Sequence, residues 1–328
     1  MVTNQGESRQ GLVRSGVFPY ETREKPVGPL RIGSVLHHAS DQSGFAGGRA
    51  ALVRLAGALL RAFAVLVAVV TPSVLWPDAG PGARQISALL ALMAGVLVFF
   101  EYTVRAPGLI AFRDAPPFNR LRFLMLFCMV LALTLIARGD GFPGTDLARA
   151  LGGLVDHPID RAFGPLHPLP PGMGGGAGRV SGSRLWLPEA AGMAWLIALT
   201  GMGLFALLLR LSGWPGRGQA FNVWVNLPSF DPTTGADVIV RLNRHARVNI
   251  VLALLLPFLI PATCRLVLGG FGPAPMLSPQ ILIWMVTAWA FLPASLLMRG
   301  LAIRRIAGLI LTMRRERETV SGRSAATA

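Results

Sequence analysis

Six apolar runs, at 55–76, 86–104, 121–137, 188–209, 248–268 and 281–298, constrain this 328-residue chain more than any other feature. Each is close to the ~20 residues that a helix needs to cross a bilayer, where a helix satisfies every backbone group within its own segment. The connections between the runs differ in charge: arginines fall mainly on the second and fourth connections and on the two tails. Cytoplasmic connections carry the excess of positive charge in membrane proteins. The pattern predicts an all-α, polytopic helical membrane protein with six transmembrane helices and both termini cytoplasmic.

Composition agrees with that reading and removes several alternatives. With 52% hydrophobic residues the chain is too apolar for an ordinary soluble enzyme. The net charge of +15 does not point to nucleic acid, because its arginines sit beside span ends and no basic folded module accompanies them. Lys25 is the single lysine, and Ala, Gly, Pro and Arg abound, as in proteins of GC-rich bacterial genomes. The expected location is the bacterial inner membrane. The first 50 residues hold no apolar leader core, so the first span is expected to act as the insertion signal. Cys128 and Cys264 are too few for a disulfide framework and are expected to pack within spans.

Residues 1–48 lack a sustained period and are expected to form a flexible cytoplasmic tail. Residues 49–300 make the six-span domain, with inner loops at 105–122 and 210–247 and an outer loop at 138–184. In the first inner loop, Asp114 followed by Pro116 and Pro117 is the expected start of the third span. In the second, Ile239, Leu242, Ala246 and Ile250 share one face, which predicts a helix that runs from the cytoplasm straight into the fifth span. The outer loop has an amphipathic stretch at 146–155, with Leu147, Leu151 and Leu154 on one face and Pro158 as its expected end. A Pro- and Gly-rich linker follows at 164–182.

Residues 301–328 form the last expected unit. Over 301–315, Arg304, Arg305 and Arg315 share a polar stripe with Gly308 and Thr312, opposite Ile303, Ile306, Leu309 and Ile310. That is the pattern of a basic amphipathic helix lying on the inner leaflet, its arginines toward anionic headgroups, although the same face suits packing on another helix.

Charges inside spans are costly, so they are the first functional candidates. Arg61 and Glu101 lie at compatible depths near the inner side and are expected to pair; Glu189 and Arg265 are expected to pair near the outer side. Ala58, Arg61, Ala64 and Ala68 of the first span, and Ser87, Ala91 and Gly95 of the second, mark faces for close helix packing. Pro257, Pro261 and Pro293 free backbone carbonyls in the last two spans, a feature that hinged transporters use.

Recognisable chemistry is scarce. His37, His38, His157, His167 and His245 all lie outside the spans, so haem ligation within the bilayer finds no support. Asp156, His157, Asp160 and His167 sit in a proline-broken loop and read as solvated residues, so no metal or cofactor is expected. The set Asp140, Gly141, Ala148, Arg149, Gly152, Asp156 and Asp160 resembles the CDP-alcohol phosphatidyltransferase signature in residue types. Its spacing departs from that family's, and Pro143 and Pro158 interrupt the helices that the signature requires. The expected function is therefore non-enzymatic: an accessory or assembly protein that binds anionic lipid and a partner membrane protein. A small transporter or channel is the alternative, ahead of a lipid enzyme.

Overall fold

A computed structural model describes residues 36–76, 80–104, 108–113, 117–139, 141–163, 186–211, 214, 238–270 and 278–326. Among these, every regular element is a helix: α1 (Leu36–Leu75), α2 (Pro81–Thr103), α3 (Phe118–Arg138), α4 (Thr145–Phe163), α5 (Leu187–Leu211), α6 (Val238–Gly270) and α7 (Pro279–Ala326). Six of the seven are long and apolar enough to cross a membrane, over Ala51–Leu75, Pro81–Thr103, Phe118–Arg138, Leu187–Leu211, Val238–Cys264 and Pro279–Thr312. The protein is a multi-pass helical membrane protein.

The chain divides into two units, Met1–Ala51 and Leu52–Ala328. In the first, the described residues are helical from Leu36, so the tail expected to stay flexible as far as residue 48 is helical over its last part. With no proline between Leu36 and Pro72, an existing helix extends backward one hydrogen bond at a time, which is far easier than starting one.

In the second unit α7 is the central helix. It packs on α6, α5 and α3, and 56% of an apolar 18-residue stretch of its span is buried, against 17% for those of α1, α2 and α6, many of whose leucines are exposed. Helices α1 and α2 run antiparallel. Tyr102 near the end of α2 meets Arg61 in the first half of the α1 span, whereas Ser87 early in α2 hydrogen-bonds Ser73 late in α1. Lipid tails are as apolar as the core, so contact at close range holds such helices together. Small residues provide it on α5 (Ala190, Ala194, Ala198) and α7 (Ala290, Ala294, Ala302), all fully buried. At Gly300 α7 comes close to α6, and a methyl group there would lie 3.0 Å from the Ala246 carbonyl and 2.7 Å from Ile250.

The inner face foreseen on α6 is buried as its period required, with Ile239, Leu242 and Ala246 all inside. Both prolines of α6 lie inside an unbroken helix. Pro261 has no N–H to offer the carbonyl of Pro257, and Trp289 Nε1 of α7 donates to that oxygen at 2.8 Å instead. Trp289 is fully buried, edge-on to Trp195 of α5 at 5.5 Å, so the donor to that carbonyl is itself fixed in the core.

Three further boundaries correct the sequence reading. Pro117 is the N-cap of α3, without a side-chain cap, and Asp114 lies outside the described residues. Helix α4 does not stop at Pro158 but runs on to Phe163. Its inward face is the small-residue stripe Thr145, Ala148 and Gly152, while Leu147 and Leu154 are exposed. A side chain at Gly152 would overlap the Glu189 carbonyl, so α4 lies directly against α5. Finally, 301–315 is no separate helix, because α7 continues through it without a break. Ile303 and Ile306 prolong the buried stripe of Val286, Ala290, Ala294 and Met298, and are inside the protein, so they are not available to the acyl boundary. The linker expected at 164–182 lies outside the described residues.

Candidate functional site

The end of the bundle where α1 begins its span and α2 ends holds a cavity of about 410 Å3 between α1, α2, α3 and α7. Arg61, Arg113, Arg120, Arg122, Tyr102 and Asn119 form its polar lining. Ala64, Val65, Val98, Leu126 and Phe291 are among the apolar residues that complete it, and among the described residues no carboxylate lines it.

The loop that closes this end is built by three side chains. Glu101, buried in the last turn of α2, accepts the backbone N–H groups of Leu109 at 2.7 Å and Ile110 at 2.9 Å through one carboxylate oxygen. Arg113 Nη1 returns the connection, donating to the carbonyls of Glu101 at 2.7 Å and Val104 at 2.8 Å, two acceptors that the end of α2 leaves open. Asn119 Nδ2, on the first turn of α3, donates to the carbonyls of Ala111 at 2.9 Å and Phe112 at 3.0 Å.

Those two bonds flank a strained residue. Phe112 has a φ of +58°, a left-handed conformation that a bulky side chain rarely adopts. Its ring offsets that strain by full burial, 4.6 Å from Phe118 and 5.8 Å from Trp214.

On this base the cationic groups are placed with some rigidity. Arg61 is exposed; its Nη1 donates to the Gly57 carbonyl at 2.7 Å and its guanidinium lies 4.7 Å from the centre of the Tyr102 ring. Arg122 is half-buried, with its guanidinium 5.2 Å from the Phe118 ring and 6.0 Å from that of Phe291. Its Nε is buried without a hydrogen-bond partner among the described residues. Among the same residues, no carboxylate pairs with Arg61, Arg120 or Arg122.

The charge pairs expected from the sequence are therefore distributed differently. Arg61 and Glu101 approach the same site but do not pair: Glu101 turns to the loop amides, and Arg61 engages Tyr102, the next residue, about 100° further round the helix. Glu189 pairs with Arg149 of α4 at 3.5 Å. Arg149 also donates to the Ile136 carbonyl at 3.0 Å, tying α4 to the end of α3, a structural task for a residue of the phosphatidyltransferase-like set. The side chains of Arg265, Asp156, His157 and Asp160 lie outside the described residues, as does His167. Arg304, Arg305 and Arg315 are exposed. The first two border a depression of about 420 Å3 with Leu209 of α5 and Thr312 of α7.

Sequence reasoning missed Tyr102, Asn119 and Arg122 as site residues. A usable signal was present in the density of arginines at 113, 120 and 122 beside a span start, with Asp114 as their nearby acid. The chain matches no family model, no curated protein and no solved structure. Its function is argued from this geometry.

Proposed function

We propose that the protein is a non-enzymatic interaction protein of the bacterial inner membrane, an accessory or assembly subunit that binds anionic lipid and a partner membrane protein at its arginine-rich end. In this reading that end and both termini face the cytoplasm, where anionic headgroups are attracted by basic residues at ~1 kcal/mol each. The observation that carries it is the cavity at this end, whose arginines meet apolar walls with no carboxylate among its described lining. Such a surface suits a ligand that is anionic at one end and apolar at the other. The exposed Arg304, Arg305 and Arg315 extend the same charge along α7.

The rival reading, a small transporter or channel, draws on the prolines of α6. The bond from Trp289 to the Pro257 carbonyl gives the freed acceptor a partner on α7, which favours a fixed helix over a moving one and so supports the interaction reading.

The test pairs two measurements on protein solubilised gently from its membrane. Native mass spectrometry should find anionic phospholipid retained in preference to zwitterionic lipid. Proteoliposomes loaded with ions and small solutes should leak no faster than empty vesicles. Flux above that background, altered by Pro261→Ala, would establish the transporter reading in its place, and the absence of any lipid preference would remove the main support for the proposal.

A further inference from the structure

We propose that the cavity between α1, α2, α3 and α7 is a specific site for one phospholipid of net negative charge, with the phosphate held by Arg61, Arg120 and Arg122 and the first part of an acyl chain along Ala64, Val98 and Leu126. The inference rests on the lipid-binding reading above and deepens it from a charged surface to a single built site.

The charge defines the anion. Three guanidinium groups without a carboxylate partner among the described residues line one cavity. Like charges repel, and the charge of Arg299 on α7 also bears on Arg122. An anion with several oxygens relieves that repulsion and uses the guanidinium N–H groups in forked pairs. The buried Arg122 Nε is a donor with no partner among the described residues, which one phosphate oxygen would satisfy. A carboxylate offers two oxygens to the three arginines, whereas a phosphate diester adds ester oxygens and a monoester has three terminal ones.

Two of the groups are also held in advance. Arg61 is set by the Gly57 carbonyl and the Tyr102 ring, and Arg122 by the Phe118 and Phe291 rings. Arg120 is exposed at the start of α3, and it is Arg61 and Arg122 that are preset. For those two little ordering is left for the moment of binding. The volume and walls specify a lipid over free phosphate: at about 410 Å3 the cavity has the size of small-molecule sites, and one side of it is aliphatic.

The experiment uses the full-length protein in a neutral detergent, titrated with a short-chain phosphatidylglycerol and read by native mass spectrometry, with inorganic phosphate and short-chain phosphatidylcholine as parallel probes. One phosphatidylglycerol should bind per chain, with phosphatidylcholine and inorganic phosphate each at least about tenfold weaker. Arg61→Gln or Arg122→Gln should weaken it about tenfold, and the two together about a hundredfold. Arg84→Gln, at the opposite end of the bundle, should change it less than about twofold.

Ala64→Phe supplies a second arm that leaves every arginine in place. It should weaken phosphatidylglycerol while leaving inorganic phosphate unaffected, and it keeps the test decisive if an arginine variant fails to fold. Lipid retention lost on Arg304→Gln with Arg305→Gln, but indifferent to the cavity variants, would overturn this site while leaving the lipid-binding reading intact. Equal binding of phosphatidylglycerol and phosphatidylcholine would overturn both. Inorganic phosphate binding as tightly as the lipid, unaffected by Ala64→Phe, would make the ligand a free anion and overturn the assignment to a lipid.

Discussion

Trp289→Ala is expected to lower stability by about 3–5 kcal/mol, the range for truncating a large buried aromatic residue. Trp289 is fully buried on the central helix, with its ring edge-on to Trp195 and its Nε1 on the carbonyl of Pro257. Alanine removes the ring from a packed interface, and neighbouring helices cannot relax into the gap without shifting their own small-residue contacts. It also leaves the carbonyl freed by Pro261 without a donor.

Trp289→Phe separates these effects. It keeps most of the volume and removes the hydrogen bond, so it should cost about 1 kcal/mol, the usual worth of a polar contact between membrane helices. The phenylalanine variant should also exchange its backbone amides faster around 257–264. Thermal unfolding in detergent gives the first quantity and hydrogen exchange the second. A phenylalanine variant as damaged as the alanine one would mean that the bond, not the packing, holds α6 to α7.

Glu101→Ala has the second largest expected effect. The carboxylate accepts two part-buried loop amides, from Leu109 and Ile110, and each would lose its partner at a cost of about 1 kcal/mol, the lower end of the range because water reaches the loop. The whole clasp should loosen, because Arg113 and Asn119 act on the same short loop. Glu101→Gln should be much milder, since one amide oxygen can accept both bonds, and the loss is confined to the charge-assisted part of each.

Combined with Arg61→Gln, the glutamine change should be additive within about 0.5 kcal/mol, because Arg61 is engaged with Gly57 and Tyr102 and not with the carboxylate. Unfolding midpoints of the two single variants and the double variant measure this. A coupling well above that value would restore the direct pair that the sequence suggests.

The contrast between these residues shows what a sequence of this kind discloses. Spans are legible because a bilayer imposes one length and one polarity on every helix that crosses it, and all six apolar runs lie on spanning helices. The buried face of α6 is legible because Ile239, Leu242 and Ala246 recur at the helix period. The packing faces of α1 and α2 show as small residues, and Ala58, Ala68 and Ala91 are buried as expected.

Illegible are the contacts that depend on where the chain turns. Glu101 finds partners on backbone amides in the following loop, which carry no side-chain signature. Arg149 reaches Glu189 because α4 folds back on α5, at a distance that no local period encodes. Cys128, expected inside a packed span, is exposed, because the packed face of α3 is set by Met125, Met129 and Leu133 at other angles. The apolar arc of 301–315 was visible, but whether it meets lipid or protein depends on its phase with the buried stripe of α7, and Ile303 and Ile306 continue that stripe.

The proposed lipid site and the partner surface both depend on one claim, that the arginine-rich end faces the cytoplasm. Membrane-impermeant thiol labelling of intact cells tests it, in a background where Cys128 and Cys264, the two native cysteines, are replaced by serine. Single cysteines are then introduced as Ser181→Cys in the third connection and Ser324→Cys near the C-terminus. The account predicts that the first is labelled from outside and the second only after the membrane is breached. Labelling of Ser324→Cys from outside, or of both positions from the same side, would contradict it.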